Sequence, residues 1–118
     1  MSRFVVLEHE SPRGRHWDFM VETGPALATW ALPEPPDALH TMIAQPLPEH
    51  RLEYLDYQGP ISGGRGSVTR WDQGTYQLQR RSETELVVTL EGEKLAGTVT
   101  FTRLPEEPER WRFSYSGG

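Results

Sequence analysis

The sequence predicts an all-β fold, mainly antiparallel, that closes or partly closes into a small β-barrel with one short helix. Three observations carry this. Apolar and polar residues alternate in run after run, as in Trp17, Phe19 and Val21 or Trp111, Phe113 and Tyr115, which is the period of a strand with one buried face. Turn residues punctuate these runs at short intervals. Ten prolines and eleven glycines in 118 residues suit short strands and many turns better than long helices.

Taken in order, Arg3 to His9 reads as a first strand, apolar through Phe4-Val5-Val6-Leu7. Ser11-Pro12-Arg13-Gly14 has turn chemistry, so the chain reverses and returns as a strand from Arg15 to Glu22. Thr23-Gly24-Pro25 turns again before Ala26 to Leu32, where Trp30 is a core anchor. Pro33 to Asp37, with three prolines, is a surface loop, because proline removes amide donors and restricts its predecessor. His40 to Leu47 is a further strand with Met42 and Ala44 inward. Pro48 to Leu55 permits the short helix, Pro48 suiting its first turn, and His50 and Tyr54 would then share one face. Gln58 to Gly66 is a glycine-rich connection without the context of a phosphate-binding P-loop. The remainder reads as hairpins: Ser67 to Trp71, a turn at Asp72-Gln73-Gly74, Thr75 to Arg81, Glu85 to Leu90, a turn at Glu91 to Lys94, Leu95 to Leu104, and Arg110 to Ser116. Trp71 and Trp111 join Trp30 as expected core anchors rather than stacking platforms.

Residues 1–118 make one domain, long enough to bury a core. The absence of cysteine excludes disulfides and thiolate metal sites, so any metal is held by His, Asp, Glu or backbone oxygen. A net charge of −5 argues against a broad basic face that coats nucleic acid. No run is apolar enough for a signal peptide or a membrane span, and a soluble, cytoplasmic, monomeric protein is the expectation.

Strand parity isolates one cluster. In an extended strand, Trp17, Phe19 and Val21 face one way and His16, Asp18, Met20 and Glu22 the other, with His16 and Asp18 roughly 6–7 Å apart along the chain. A hairpin that carries His9 on one strand and His16 with Asp18 on the other can hold Mn²⁺ or Zn²⁺, and His50 can approach from elsewhere. The alternative, open at this point, is that each histidine is a surface or hydrogen-bonded residue. Glu22 is either an orienting partner for a ligand imidazole or a solvated strand residue. His40 reads as a surface residue.

Residue order adds to this. Phe4-Val5-Val6-Leu7-Glu8-His9 followed by His16-Trp17-Asp18-Phe19-Met20-Val21-Glu22 resembles the opening of the 3′-phosphoesterase domain of bacterial DNA ligase D and its stand-alone relatives. Thr29-Trp30-Ala31-Leu32-Pro33-Glu34, Glu49-His50-Arg51-Leu52-Glu53-Tyr54, Val68-Thr69-Arg70-Trp71-Asp72-Gln73-Gly74 and Leu90-Glu91-Gly92-Glu93-Lys94-Leu95-Ala96-Gly97 continue the resemblance in order over nearly the whole chain. It implies a small β-barrel, Mn²⁺-dependent enzyme that removes a terminal ribonucleoside and then a 3′-phosphate from DNA 3′ ends, working beside repair ligase and polymerase proteins. It also implies His9, His16 and Asp18 as metal ligands, with Zn²⁺ or another divalent ion as an alternative, and His50 and Tyr54 at the phosphate. Two cations of the family pattern are replaced, an arginine by Met20 and a lysine by Glu34. Arg13, Arg15, Arg51 or Arg65 can supply the missing charge from another direction. A non-catalytic module binding DNA ends, a phosphorylated ligand or a protein partner is the second reading; a phosphoesterase retuned to another substrate is the third.

Overall fold

The computed structural model describes residues 2–117; Met1 and Gly118, which the single-domain expectation included, lie outside them. Nine strands follow one another: β1 (Arg3–Ser11), β2 (Gly14–Glu22), β3 (Ala26–Leu32), β4 (Met42–Arg51), β5 (Gly59–Pro60), β6 (Ser67–Arg81), β7 (Glu85–Gly92), β8 (Ala96–Leu104) and β9 (Glu107–Gly117). Eight of them close a barrel in the order β1-β2-β3-β4-β9-β8-β7-β6, β6 returning to pair with β1. Every pairing is antiparallel, and closure leaves the barrel without the long free edges that invite aggregation. The two-residue β5 flanks β6 from outside the ring.

The period-two pattern of β1 and β2 sends alternate residues into two different apolar environments. Phe4, Val6, Phe19 and Val21 point into the barrel with Trp30, Leu32, Phe101 and Phe113. Phe19 packs against Phe4, Phe101 and Phe113 with ring centroids 5.5–5.9 Å apart, so one aromatic side chain ties four strands together. Val5, Leu7 and Met20 point outward, where Leu27, Leu55 and Val68 cover them. Leu27 comes from β3, Val68 from β6 and Leu55 from a single 3₁₀ turn, Leu52–Leu55; Leu52, Tyr54, Tyr57 and Ile61, from that turn and the connection after it, complete the cover. β1 is therefore apolar on both faces, which explains its unbroken Phe-Val-Val-Leu run.

Two expectations are corrected. Pro48 to Arg51 continue β4, and only Leu52–Leu55 turn helically, as 3₁₀, so His50 and Tyr54 do not share a helix. No turn occurs at Asp72-Gln73-Gly74, since β6 runs without interruption from Ser67 to Arg81. Those residue types serve other purposes. Asp72, 1% exposed, accepts hydrogen bonds from the backbone N–H of Glu93, Lys94 and Leu95 at 2.8–3.0 Å, capping the β7–β8 turn from across the sheet. Gly74 lets β6 approach β7 so closely that a Cβ there would stand 2.0 Å from the Glu91 carbonyl oxygen.

Trp30 is buried in the core, while Trp71 and Trp111 are half-buried against it. Among the described residues no helix is long and apolar enough to cross a membrane.

Candidate metal centre and groove

The β1–β2 hairpin sets the site. His9 and His16 are direct cross-strand partners, and Asp18 lies two residues further along β2 on the same outward face. Their polar atoms converge. His9 Nδ1 is 3.2 Å from His16 Nε2 and 3.4 Å from Asp18 Oδ2, and His16 Nε2 is 2.9 Å from Asp18 Oδ1. Donor atoms held about 2.0–2.2 Å from one ion stand about 2.8–3.6 Å from each other at octahedral or tetrahedral angles, so the spacing matches a shared cation. Asp18 is only 3% exposed, and when His16 is neutral with its Nε2 lone pair turned to the cluster, Asp18 Oδ1 has no hydrogen-bond donor among the described residues. A buried carboxylate oxygen without a partner is costly, and coordination of a cation would satisfy it.

The ring of His9 is oriented by backbone. Its Nε2 lies 2.8 Å from the carbonyl oxygen of Arg65; a carbonyl only accepts, so Nε2 carries the hydrogen and Nδ1 of the neutral ring turns its lone pair toward His16 and Asp18. The glycine-rich connection makes this contact possible. Gly63, Gly64 and Gly66 all have positive φ, and a Cβ on Gly66 would stand 1.8 Å from the Glu10 carbonyl oxygen. The loop is closed on itself by Ile61 N–H donating to Gly66 O and Arg65 Nε–H donating to Ser62 O, each 2.8 Å long. Its glycines thus hold the carbonyl partner of His9 in place; no phosphate-cradling geometry is needed to account for them. Close approach of the Asp18 carboxylate raises the His16 pKa above the ordinary histidine value, overcoming the opposing effect of desolvation.

An open groove of about 900 Å³ runs past the cluster and is also lined by Met20, His50 and Tyr54. Strand register orders them. Met20 lies two residues beyond Asp18 on β2, and His50 pairs with Leu27, itself the partner of Glu22 two residues beyond Met20. Met20 is 1% exposed within the outer apolar cluster, so the strand face that is polar at His16 and Asp18 becomes apolar one step later. The His50 and Tyr54 rings meet edge to face at 5.4 Å despite the missing helix. His50 Nδ1–H donates to the Pro48 carbonyl at 2.9 Å, which leaves Nε2 as its second ring nitrogen.

Other candidates stand elsewhere. Arg15 lines the groove but its guanidinium holds Glu10 at 2.7 Å and Glu8 at 3.4 Å, while Arg51 holds Glu53 at 2.8 Å. Glu34 pairs with His40 at 2.8 Å on the exposed loop and is not part of the groove lining. Glu22 accepts from the backbone N–H of Arg3. Sequence reasoning did not foresee the Arg65 carbonyl, for which the only signal was a cluster of glycines.

Fold and cluster together define a small closed β-barrel with a two-histidine, one-carboxylate centre on the outside of a hairpin, facing a groove. Residues 7–103 match the family described as the DNA ligase D 3′-phosphoesterase domain. The chain is 32% identical over 117 residues to the multifunctional non-homologous end joining DNA repair protein LigD of Mycobacterium tuberculosis strain H37Rv, with 92% of this chain covered. It is 31% identical over 111 residues to LigD of Mycolicibacterium smegmatis and 32% identical over 105 residues to LigD of Pseudomonas aeruginosa, each match covering 80% of this chain. The chain belongs to the DNA ligase D 3′-phosphoesterase domain family. It spans only 12–15% of the length of these relatives.

Proposed function

We propose that this chain is a divalent-cation-dependent phosphoesterase that acts on DNA 3′ ends in end repair, removing a 3′-phosphate or 3′-ribonucleoside. The observation that carries this reading is the convergence of His9 Nδ1, His16 Nε2 and the Asp18 carboxylate in a groove that His50 and Tyr54 also line. Family membership and the end-joining names of the relatives favour DNA ends as substrate, with repair ligase or polymerase proteins as partners.

His9, His16 and Asp18 would hold the cation, Mn²⁺ by family resemblance, with Zn²⁺ also suited to this donor set. A bound cation supplies Lewis-acid polarisation of a phosphoryl oxygen. The Arg65 carbonyl keeps His9 in the tautomer that ligates through Nδ1. His50, fixed through its Nδ1–H, has Nε2 free to donate to a phosphoryl oxygen when protonated, and the Tyr54 hydroxyl is a second donor.

A primer-template bearing a 3′-phosphate, incubated with the protein and Mn²⁺, should yield a 3′-hydroxyl end; His50→Ala should slow that conversion about 10²–10³-fold with Mn²⁺ binding unchanged. No hydroxyl product at high protein concentration rules out the phosphatase reading. A second reading, a non-catalytic module for DNA ends or phosphorylated ligands, has one observation in its favour. Met20, buried in apolar surroundings, offers no charge beside the cluster.

Cation affinity should depend on pH in a set direction. Ligation needs neutral His16, so affinity falls as pH drops through the raised His16 pKa, and titration of Mn²⁺ at about pH 8 and about pH 6 measures the loss. With chelator present the sign reverses for stability. The His16–Asp18 contact contributes fully below the ordinary histidine pKa and is lost as pH rises through the raised value.

A further inference from the structure

We propose that the groove binds the substrate's phosphate from the hairpin-turn side, through the guanidinium of Arg13 with Arg65 beside it, rather than from the Met20 side. This deepens the phosphoesterase reading and rests on it.

Positive charge is absent on one side of the cluster. The position two residues past Asp18 is Met20, fully buried among Val5, Leu7, Leu27, Leu55 and Val68, and a desolvated anion has no partner there. Arg15 and Arg51 are already matched to glutamates, and Arg110, which also lines the groove, has Glu107 at 4.0 Å. What remains lies on the opposite side of the cluster. Arg13 sits in the β1–β2 turn, three residues before His16 and four after His9. Its backbone N–H donates to Ser11 Oγ, and Ser11 Oγ–H donates in turn to the Gly14 carbonyl, so the turn that presents it is itself hydrogen-bonded. Its exposed guanidinium has no carboxylate within 4.0 Å among the described residues, and it lines the same groove as the metal cluster. The turn stands about 7 Å beyond the His9–His16 pair at the usual strand rise, within the span of an extended arginine side chain. Arg65 arrives independently. Its carbonyl touches His9, its Nε is spent on Ser62, and its two terminal nitrogens remain for an anion.

A phosphate that shares an oxygen with a cation on His9, His16 and Asp18 would thus be clamped between that cation and two guanidiniums whose fork geometry suits phosphate oxygens. The arrangement also orients the substrate. The terminal phosphate lies toward the turn, and the sugar next to it lies toward Ile43 and Leu47 in the apolar part of the groove lining.

Inorganic phosphate titrated by calorimetry into the Mn²⁺-loaded protein tests this. Arg13→Ala should weaken phosphate binding about tenfold or more with Mn²⁺ affinity unchanged, and Arg13→Ala with Arg65→Ala should weaken it further still. Arg15→Ala and Arg51→Ala should change it by less than about twofold. Equal phosphate affinity in wild type and Arg13→Ala, or no phosphate binding by the Mn²⁺-loaded wild type, overturns the proposal while leaving the metal centre intact. If the wild type takes up no Mn²⁺, the phosphoesterase reading falls instead; phosphate titrated alone then decides, since dependence on Arg13 upholds the anion site and independence removes it.

Discussion

Asp72→Ala lowers the stability of the barrel by about 3–5 kcal/mol, because one carboxylate accepts three backbone N–H groups that have no other partner among the described residues where the β7–β8 turn packs on β6. Asp72 and Leu95 are both buried, so water does not readily replace the lost acceptor. The removed side chain also backs Gly92, where even a Cβ would lie 2.5 Å from Asp72 Oδ2 and 2.7 Å from Phe4 Cζ. A loss of this size is a large fraction of the 5–15 kcal/mol typical of a domain and should depress the melting temperature on the order of 10–20 °C. Asp72→Asn, which keeps one acceptor oxygen and nearly the same shape, should lose roughly half as much. Thermal unfolding followed by circular dichroism measures both; equal melting temperatures for wild type and alanine variant would show that the turn is held by something else.

Asp18→Ala weakens Mn²⁺ binding at least about 100-fold, since removal even of an outer partner of a ligand typically costs 10–100-fold and Asp18 faces both imidazoles directly. The effect should also be visible in stability. A ligand present at 100 times its dissociation constant stabilises the native chain by about 2.7 kcal/mol, so Mn²⁺ should raise the melting temperature of the wild type and leave that of Asp18→Ala in place. Because removing a buried carboxylate beside two imidazoles alters the barrel itself, the comparison is made within each protein, with and without Mn²⁺. A shift of the same size in both would place the cation elsewhere.

The hairpin that carries the cluster was legible in the sequence because its logic is local. A period of two assigns His9, His16 and Asp18 to one face, and a turn at Ser11 to Gly14 fixes their register, so no distant contact is needed to bring them together. Barrel closure was legible only as a class, since the pairing of β1 with β6 joins residues about sixty positions apart. The same parity left Met20 anomalous, an apolar residue on an apparently polar face. The face is not uniform. Leu55 from the 3₁₀ turn and Val68 from β6 cover its far half, and nothing within β2 announces that cover.

Asp72-Gln73-Gly74 misled for a related reason. Aspartate and glycine favour turns through local geometry, but here they serve neighbours twenty residues away, one as a backbone acceptor and one as an absence of side chain. The Arg65 carbonyl was invisible because any residue could supply it; only the glycines that let the loop approach β1 left a trace. The helix that would set His50 and Tyr54 on one face is absent, and the two rings meet instead because a strand end followed by a 3₁₀ turn brings them together.

The central claim is that His9, His16 and Asp18 share one divalent cation. Anomalous diffraction from a crystal grown with Mn²⁺ tests it most directly. One strong peak is expected, about 2.0–2.2 Å from His9 Nδ1, His16 Nε2 and an Asp18 carboxylate oxygen at once. A well-ordered His9, His16 and Asp18 without a peak between them, at a Mn²⁺ concentration that supports activity or binding in solution, would contradict it.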